Sequence, residues 1–275
     1  MEGIKNVPIM ANIRRNRYVR LIEDIFFKRY KKGDKRVEFI REDIEKTASL
    51  LHIKLPKNLG DIVYSFKFRA ALPETIRATA EVDNEWVIKN IGRSQYTFEQ
   101  LPNARILPDN MLMAIKIPDA TPGIVERYAL NDEQSLLAKL RYNRLLDIFT
   151  GATCYSLQNH LRTTVSGIGQ VETDEIYVGI DKLGRQYIFP LQAKGGKDKI
   201  GIVQIEQDIM LCSEKYPALI CRAMAAQFLN SNKIAIFEFT VQDAEVKKKI
   251  ERHYKLVPQA EITEEEIAAY NQLVD

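Results

Sequence analysis

At 275 residues, with 45% hydrophobic and 28% charged side chains, the chain has an ordinary globular composition and room for one large domain or two smaller ones. A net charge of +3 does not by itself imply a nucleic-acid partner, and no apolar run is long enough to span a bilayer or to read as a secretory signal, which sets membrane and secreted classes aside. Three cysteines without zinc spacing (Cys154, Cys212, Cys221) point to a reducing cytoplasm, and His52, His160 and His253 are too scattered for a histidine-rich metal site.

Basic residues gather early, at Arg14-Arg15-Asn16-Arg17, Lys28-Arg29-Tyr30-Lys31-Lys32 and Lys35-Arg36, while Glu264-Glu265-Glu266 marks an acidic end. A basic amino-terminal portion suits a surface that tracks phosphates; a solvated helix face is the alternative. Val19, Ile22, Ile25 and Phe26 predict a helix over 17–30, broken by Lys31-Lys32-Gly33-Asp34. A second helix is expected over 41–51, with Ile44, Ala48 and Leu51 inward. After the turn at 52–57, Asn58 can cap a third helix over 58–69, with Asp61 near its positive end. Residues 85–89 and 95–98, around a turn at 90–94, read as a two-stranded hairpin.

Helix, short turn and a helix bearing Lys57, Asn58, Tyr64, Ser65, Lys67 and Arg69 resembles a helix-turn-helix, and with the hairpin as a wing the whole of roughly 15–100 resembles a winged-helix module. That resemblance implies a third helix seated in a DNA major groove, with those six residues as DNA contacts. A small helical domain with structural or dimerising duties is the other reading.

The prolines at 102, 108, 118 and 122 mark a connection that includes one strand over 111–117. The expected organisation is therefore a winged-helix-like domain over 1–105, a connection over 106–123 and an α/β domain over 124–275. Asn131 is placed to cap a helix running to Phe149 and ending at Gly151, with Gln134 set for a capping box and Glu133, Leu137 and Leu140 on one face.

Residues 171–180 and 186–194 are rich in Val, Ile, Tyr and Phe and predict a β-hairpin closed by Lys182-Leu183-Gly184, with Gly184 left-handed. In that register paired positions sum to about 366, so Asp174 faces Gln192 and Glu172 faces Lys194. Strict alternation would then send all four side chains from one face. Gly195-Gly196 gives a flexible exit, beyond which Lys197 and Lys199 lie where a phosphate could pass. Residues 200–213 read as a helix with Ile202, Ile205 and Ile209 inward; Gln204 and Asp208, one turn apart, either reach the site or face solvent. A buried helix over 217–229, a strand over 233–240, a segment over 244–256 open to either assignment and an acidic helix after Thr263 complete the chain.

Two carboxylates, an amide and an ammonium at the end of an apolar hairpin suit metal-dependent phosphodiester cleavage, in which oxygen ligands hold a hard cation and a lysine stabilises developing charge. Charges merely solvated on an edge hairpin are the alternative. The residues resemble the PD-(D/E)XK nuclease superfamily, whose signature is an Asp on one strand and an acidic or amide residue, any residue, then Lys on the next; here Asp174, then Gln192-Ala193-Lys194. Gln192 departs from the commonest form by removing one negative charge, although the Mrr-like branch also uses Gln-x-Lys.

The resemblance implies a restriction-endonuclease-like mixed sheet flanked by helices. It makes Asp174 a metal ligand, Gln192 a weaker one, the carbonyl of Ala193 a further one and Lys194 the catalytic cation. Glu133 and Glu172 are possible extra carboxylates. It implies Mg²⁺, with Mn²⁺ able to substitute, and double-stranded DNA as partner. The leading expectation is a sequence-specific type II endonuclease acting in the cytoplasm as a homodimer, since two strands need two sites. A non-catalytic DNA-binding regulator with a degenerate nuclease fold is the second reading. An RNA-processing enzyme is the third, disfavoured because side chains do not enter the deep groove of A-form RNA.

Overall fold

Val37 and Phe39 turn inward while Arg36, Glu38 and Ile40 stay exposed, and this alternation makes β1 (Arg36–Ile40) a half-buried strand. The structure, a computed structural model, describes residues 9–102, 104–128, 133–195, 198–229 and 233–273, without the side chains of 9–16 and 69. Two compact units divide the chain: residues up to Ala104 with Ser166–Gly169, and Arg105–Val165 with Gln170 onward.

In the first unit, β1 pairs antiparallel with β3 (Gln95–Pro102), which pairs on its other side with β2 (Asn84–Gly92). The sheet order is β1-β3-β2. α1 (Ile9–Phe27) buries Leu21, Ile22, Ile25 and Phe26, and the Phe26 ring meets Trp86 and Phe98 edge-on. α2 (Arg41–Leu50) begins where the Asp43 carboxylate accepts the Ile40 amide at 2.8 Å. The helix expected over 58–69 is shorter and changes pitch: α3 spans Gly60–Tyr64 and continues as a π turn over Ser65–Arg69. Asn58 lies one residue outside the cap, yet its Oδ1 accepts the Gly60 amide at 3.2 Å and its Nδ2 donates to Asp61 at 2.7 Å. A short α4 (Glu74–Arg77) precedes β2.

The second unit is built on a mixed eight-stranded sheet. In order across it run β5 (Ala114–Pro118), β13 (Glu245–Val257), β12 (Lys233–Gln242), β11 (Met224–Phe228), β8 (Gln186–Lys194), β7 (Gly169–Ile180) and β6 (Thr153–Val165), with β10 (Ile220–Cys221) also on β8. β8 is antiparallel to β7 but parallel to β11, and the crossover between those parallel strands carries α8 (Ile202–Lys215). α6 (Glu133–Tyr142) and α7 (Leu145–Thr150), separated at Arg144 with φ 52°, contribute Leu136, Leu140, Leu146 and Phe149 to the core that includes Phe189, Leu191, Met224 and Ile236. β4 (Arg105–Ile106) pairs with β9 (Ile200–Gly201), and α5 (Gly123–Tyr128) and α9 (Glu264–Tyr270) lie early and late in the unit. Thr263 and Glu266 cap α9 reciprocally. No described helix is long and apolar enough to cross a membrane.

Several expectations change. Residues 217–229 are not a helix: β11 is a central strand, and a run such as Met224-Ala225-Ala226 buried on both faces shows no alternation while alanine favours helix locally. The strand expected over 111–117 is the edge strand β5, hydrogen-bonded to β13. Residues 153–165 carry no expected element because Gln158, Asn159 and His160 interrupt any apolar pattern, yet they form the long edge strand β6. Asn131, the expected cap, lies outside the described residues.

The hairpin turn is as the sequence implies: the Asp181 amide donates to the Arg185 carbonyl at 3.2 Å, Gly184 has φ 77°, and pairing runs from Glu175↔Leu191 to Ile180↔Gln186. Within it, a β carbon on Gly179 would lie 2.7 Å from Phe189 Cε2 and 3.0 Å from the Thr153 carbonyl oxygen. Gly179→Ala is expected to cost about 1–3 kcal/mol through overpacking; urea denaturation measures it, and an unchanged midpoint would mean the Phe189 ring moves freely aside.

Candidate active site

β8 stays buried from Tyr187 to Ala193 and becomes half-buried at Lys194, which delivers one ammonium to the carboxyl end of a central strand. Lys194 Nζ lies 2.8 Å from Glu133 Oε1, at the start of α6, and 3.8 Å from Asp174 Oδ2 on β7. The same Asp174 oxygen accepts the Ala193 amide at 2.8 Å. The Asp174 and Lys194 side chains are each 13% exposed and Glu133 37%, so the cluster opens to solvent past Glu133.

Burial raises the Asp174 pKa above its ordinary value, and the Lys194 charge and the Ala193 amide only partly offset it. For Lys194 burial acts against the charge, but Asp174 and Glu133 outweigh it and hold its pKa above the ordinary value. A carboxylate whose charge remains penalised despite a neighbouring ammonium can still accept positive charge.

Behind this cluster lies a second polar group. Asp208 on α8 is fully buried, and its carboxylate accepts the Thr173 hydroxyl at 2.5 Å and Gln192 Nε2 at 2.9 Å. Gln192 Nε2 also donates to the Glu172 carbonyl at 3.2 Å, and Gln192 Oε1 accepts Gln204 Nε2 at 3.3 Å. Burial pushes the Asp208 pKa up to about 7, against the lowering effect of those two donors.

The expected convergence of residues 172, 174, 192 and 194 therefore does not hold. Thr173 and Gln192 meet at Asp208, whereas Asp174 and Lys194 meet Glu133, so strict alternation fails at the strand end beyond the Glu175↔Leu191 pair. The Glu172 carboxylate pairs instead with exposed Arg162 at 3.0 Å. Gln204 and Asp208 are not a solvent face. The signal for Asp208 was present: with Ile202, Ile205 and Cys212 it falls on the inward stripe of α8, where a carboxylate needs partners.

On the rim, His160 has φ 47° in β6, and its Nε2 is 2.7 Å from Gln134 Nε2. Glu175 itself is fully buried, with Ser156 and Arg141 as partners.

Of the residues expected to contact DNA, Lys57 and Lys199 are exposed. Tyr64 packs edge-on against Phe68, and Ser65 begins the π turn with its carbonyl accepting the Ala70 amide. Lys67 is half-buried, donates to Asn90 at 3.2 Å and has its pKa lowered to about 8 by burial. The Arg69 side chain and Lys197 lie outside the described residues.

Among the described residues no three His, Cys, Asp or Glu side chains are grouped to hold a metal ion. Mg²⁺ asks for less, since it is commonly held by one or two carboxylates and keeps several waters. Asp174 and Glu133, both beside Lys194, fit that minimal set, with the Ala193 carbonyl as the third donor the resemblance implies. Comparisons with protein-family models, with curated proteins and with solved structures gave no match for this chain.

Because the folded pKa of Asp208 stands above its unfolded value of 3.8, its contribution to stability is full below that value and is lost as pH rises toward 7. Asp208→Asn can still accept from Gln192 through Oδ1 and donate to the Thr173 oxygen. Thermal midpoints from pH 4 to 8 should therefore fall more steeply for the native chain than for this variant; parallel curves would refute the assignment.

Proposed function

We propose that this chain is a sequence-specific, Mg²⁺-dependent double-stranded DNA endonuclease of restriction type, with a PD-(D/E)XK-like carboxy-terminal unit and a winged-helix-like amino-terminal reader. The observation that carries the reading is the Lys194 ammonium between the Glu133 and Asp174 carboxylates at the end of a buried hairpin. The order of elements supports it: helices α6 and α7, strands β6, β7 and β8, crossover helix α8, then β11 parallel to β8. Helices α1, α2 and α3 and the β2–β3 hairpin support the reader.

When bound, Mg²⁺ would neutralise phosphate charge and lower the pKa of a water. Asp174 and Glu133 would hold it. Lys194, kept charged by those carboxylates, would donate to a non-bridging phosphate oxygen or orient the attacking water. The Ala193 amide fixes the Asp174 carboxylate, so the acid does not depend on the lysine alone for its position. Cutting both strands would use two copies of the chain, and three free cysteines suit a reducing, cytoplasmic setting.

One observation favours the regulator reading as a second possibility: Gln192, the departure from the superfamily's commonest motif, is turned into the protein and 1% exposed.

Incubation with plasmid and viral DNA should give discrete fragments with Mg²⁺ or Mn²⁺ and none with EDTA. Asp174→Ala and Lys194→Ala should each reduce cleavage by about 10³-fold or more while binding persists; normal cutting by either variant would remove that residue from the chemistry. A salt-sensitive gel shift without cleavage in any metal would favour the regulator. Lys57→Ala and Lys199→Ala should each lower the slope of log K against log salt by about one, and unchanged slopes would take those lysines off the DNA.

A further inference from the structure

We infer that Gln192 is a positioning residue and not a cation ligand, and that Asp208 is the partner that requires an amide at position 192. The inference rests on the nuclease reading of Asp174, Glu133 and Lys194, and it reverses the meaning of the missing charge.

An amide nitrogen has two protons to give, and both of Gln192's have takers: the Asp208 carboxylate at 2.9 Å and the Glu172 carbonyl at 3.2 Å. Neither partner can donate in return when Asp208 is ionised, so the amide has one orientation. Its oxygen faces Gln204 Nε2 at 3.3 Å. With 1% exposure, every polar atom of this side chain is satisfied inside the protein.

Gln192 thereby ties three elements together: β8, which carries it; β7, through the Glu172 carbonyl; and α8, through Asp208 and Gln204. The next residue, Ala193, gives its amide to Asp174, and the one after it is Lys194. Moving the amide would shift the backbone that aims both. A glutamate at 192, which the superfamily pattern would call a restored ligand, instead sets acceptors against acceptors at Asp208 and Glu172. Two buried carboxylates in contact do not both ionise without a large penalty.

The test is Gln192→Glu, Asp208→Asn and their combination in the full chain, read by Mn²⁺ affinity in paramagnetic titration and by thermal midpoint at pH 8. Gln192→Glu should lower the midpoint and weaken Mn²⁺ binding by about 10–100-fold, as loss of a residue that orients ligands does. Asp208→Asn alone should keep Mn²⁺ affinity near native, because its Oδ1 still accepts from Gln192. The combination should recover most of what Gln192→Glu loses, because the amide nitrogen introduced at position 208 donates to the new carboxylate while the amide oxygen there takes the Thr173 proton.

Native or tighter Mn²⁺ binding by Gln192→Glu would make position 192 a ligand and overturn the inference. So would a combined variant no better than Gln192→Glu, or Asp208→Asn losing affinity by itself. A native chain that binds no Mn²⁺ would sink the nuclease reading together with the inference, and that result is read before any substitution is made.

Discussion

The Lys194 ammonium and the Asp174 carboxylate, both largely withdrawn from water, meet beside the more exposed Glu133 carboxylate, and the proposed chemistry depends on that contact. Neither of the two buried charges would be comfortable there alone. Lys194 keeps its charge because Asp174 and Glu133 outweigh the effect of burial, and Asp174 remains destabilised as an anion even with that help. The apolar strand beneath makes the arrangement possible: Ile188, Phe189 and Leu191 are packed on both sides of the sheet, so the chain has no freedom to turn until Lys194.

Glu238 and Asp208, both buried carboxylates of the second unit, behave in opposite ways. Burial would raise both, yet Glu238 is held below its ordinary range because Arg222 and Lys249 bond to it, whereas Asp208 rises to about 7 with only a hydroxyl and an amide as donors. Cations beside one and neutral donors beside the other decide the sign. Glu238 behaves as a structural ion pair. Asp208 has no cation bonded to it, so burial disfavours its charge, and it lies close enough to feel both Asp174 and Lys194, which ties the interior polar group electrostatically to the Lys194 cluster.

Much of this was legible in the residues. Gly184 and the paired Val, Ile and Tyr positions announced the turn and register of the β7–β8 hairpin, and the acidic helix expected after Thr263 is α9. Glu133 came from the nuclease resemblance alone; its place in a first helical turn reads equally well as a plain helix-end carboxylate. What failed did so where tertiary context overrides local pattern. Met224 to Phe228 is a strand because parallel β8 lies on one side and antiparallel β12 on the other, and neither neighbour can be read from five residues. Alternation placed Glu172 with the site because it assumes an unbroken ladder. Asp208 was visible as a carboxylate on an apolar stripe, but its partners, 35 residues back for Thr173 and 16 for Gln192, come only with the fold.

The edge of the large sheet sets the order in which the unit can be completed during synthesis. β5, at residues 114–118, has β13 as its partner, and β13 ends only at Val257. A chain leaving the ribosome must therefore hold β5 unpaired until β13 has emerged, while β7 and β8 can already close as a hairpin. Removing β13 would leave β5 without its neighbour and β12 as a bare edge, so the loss of that one strand would expose two others at once.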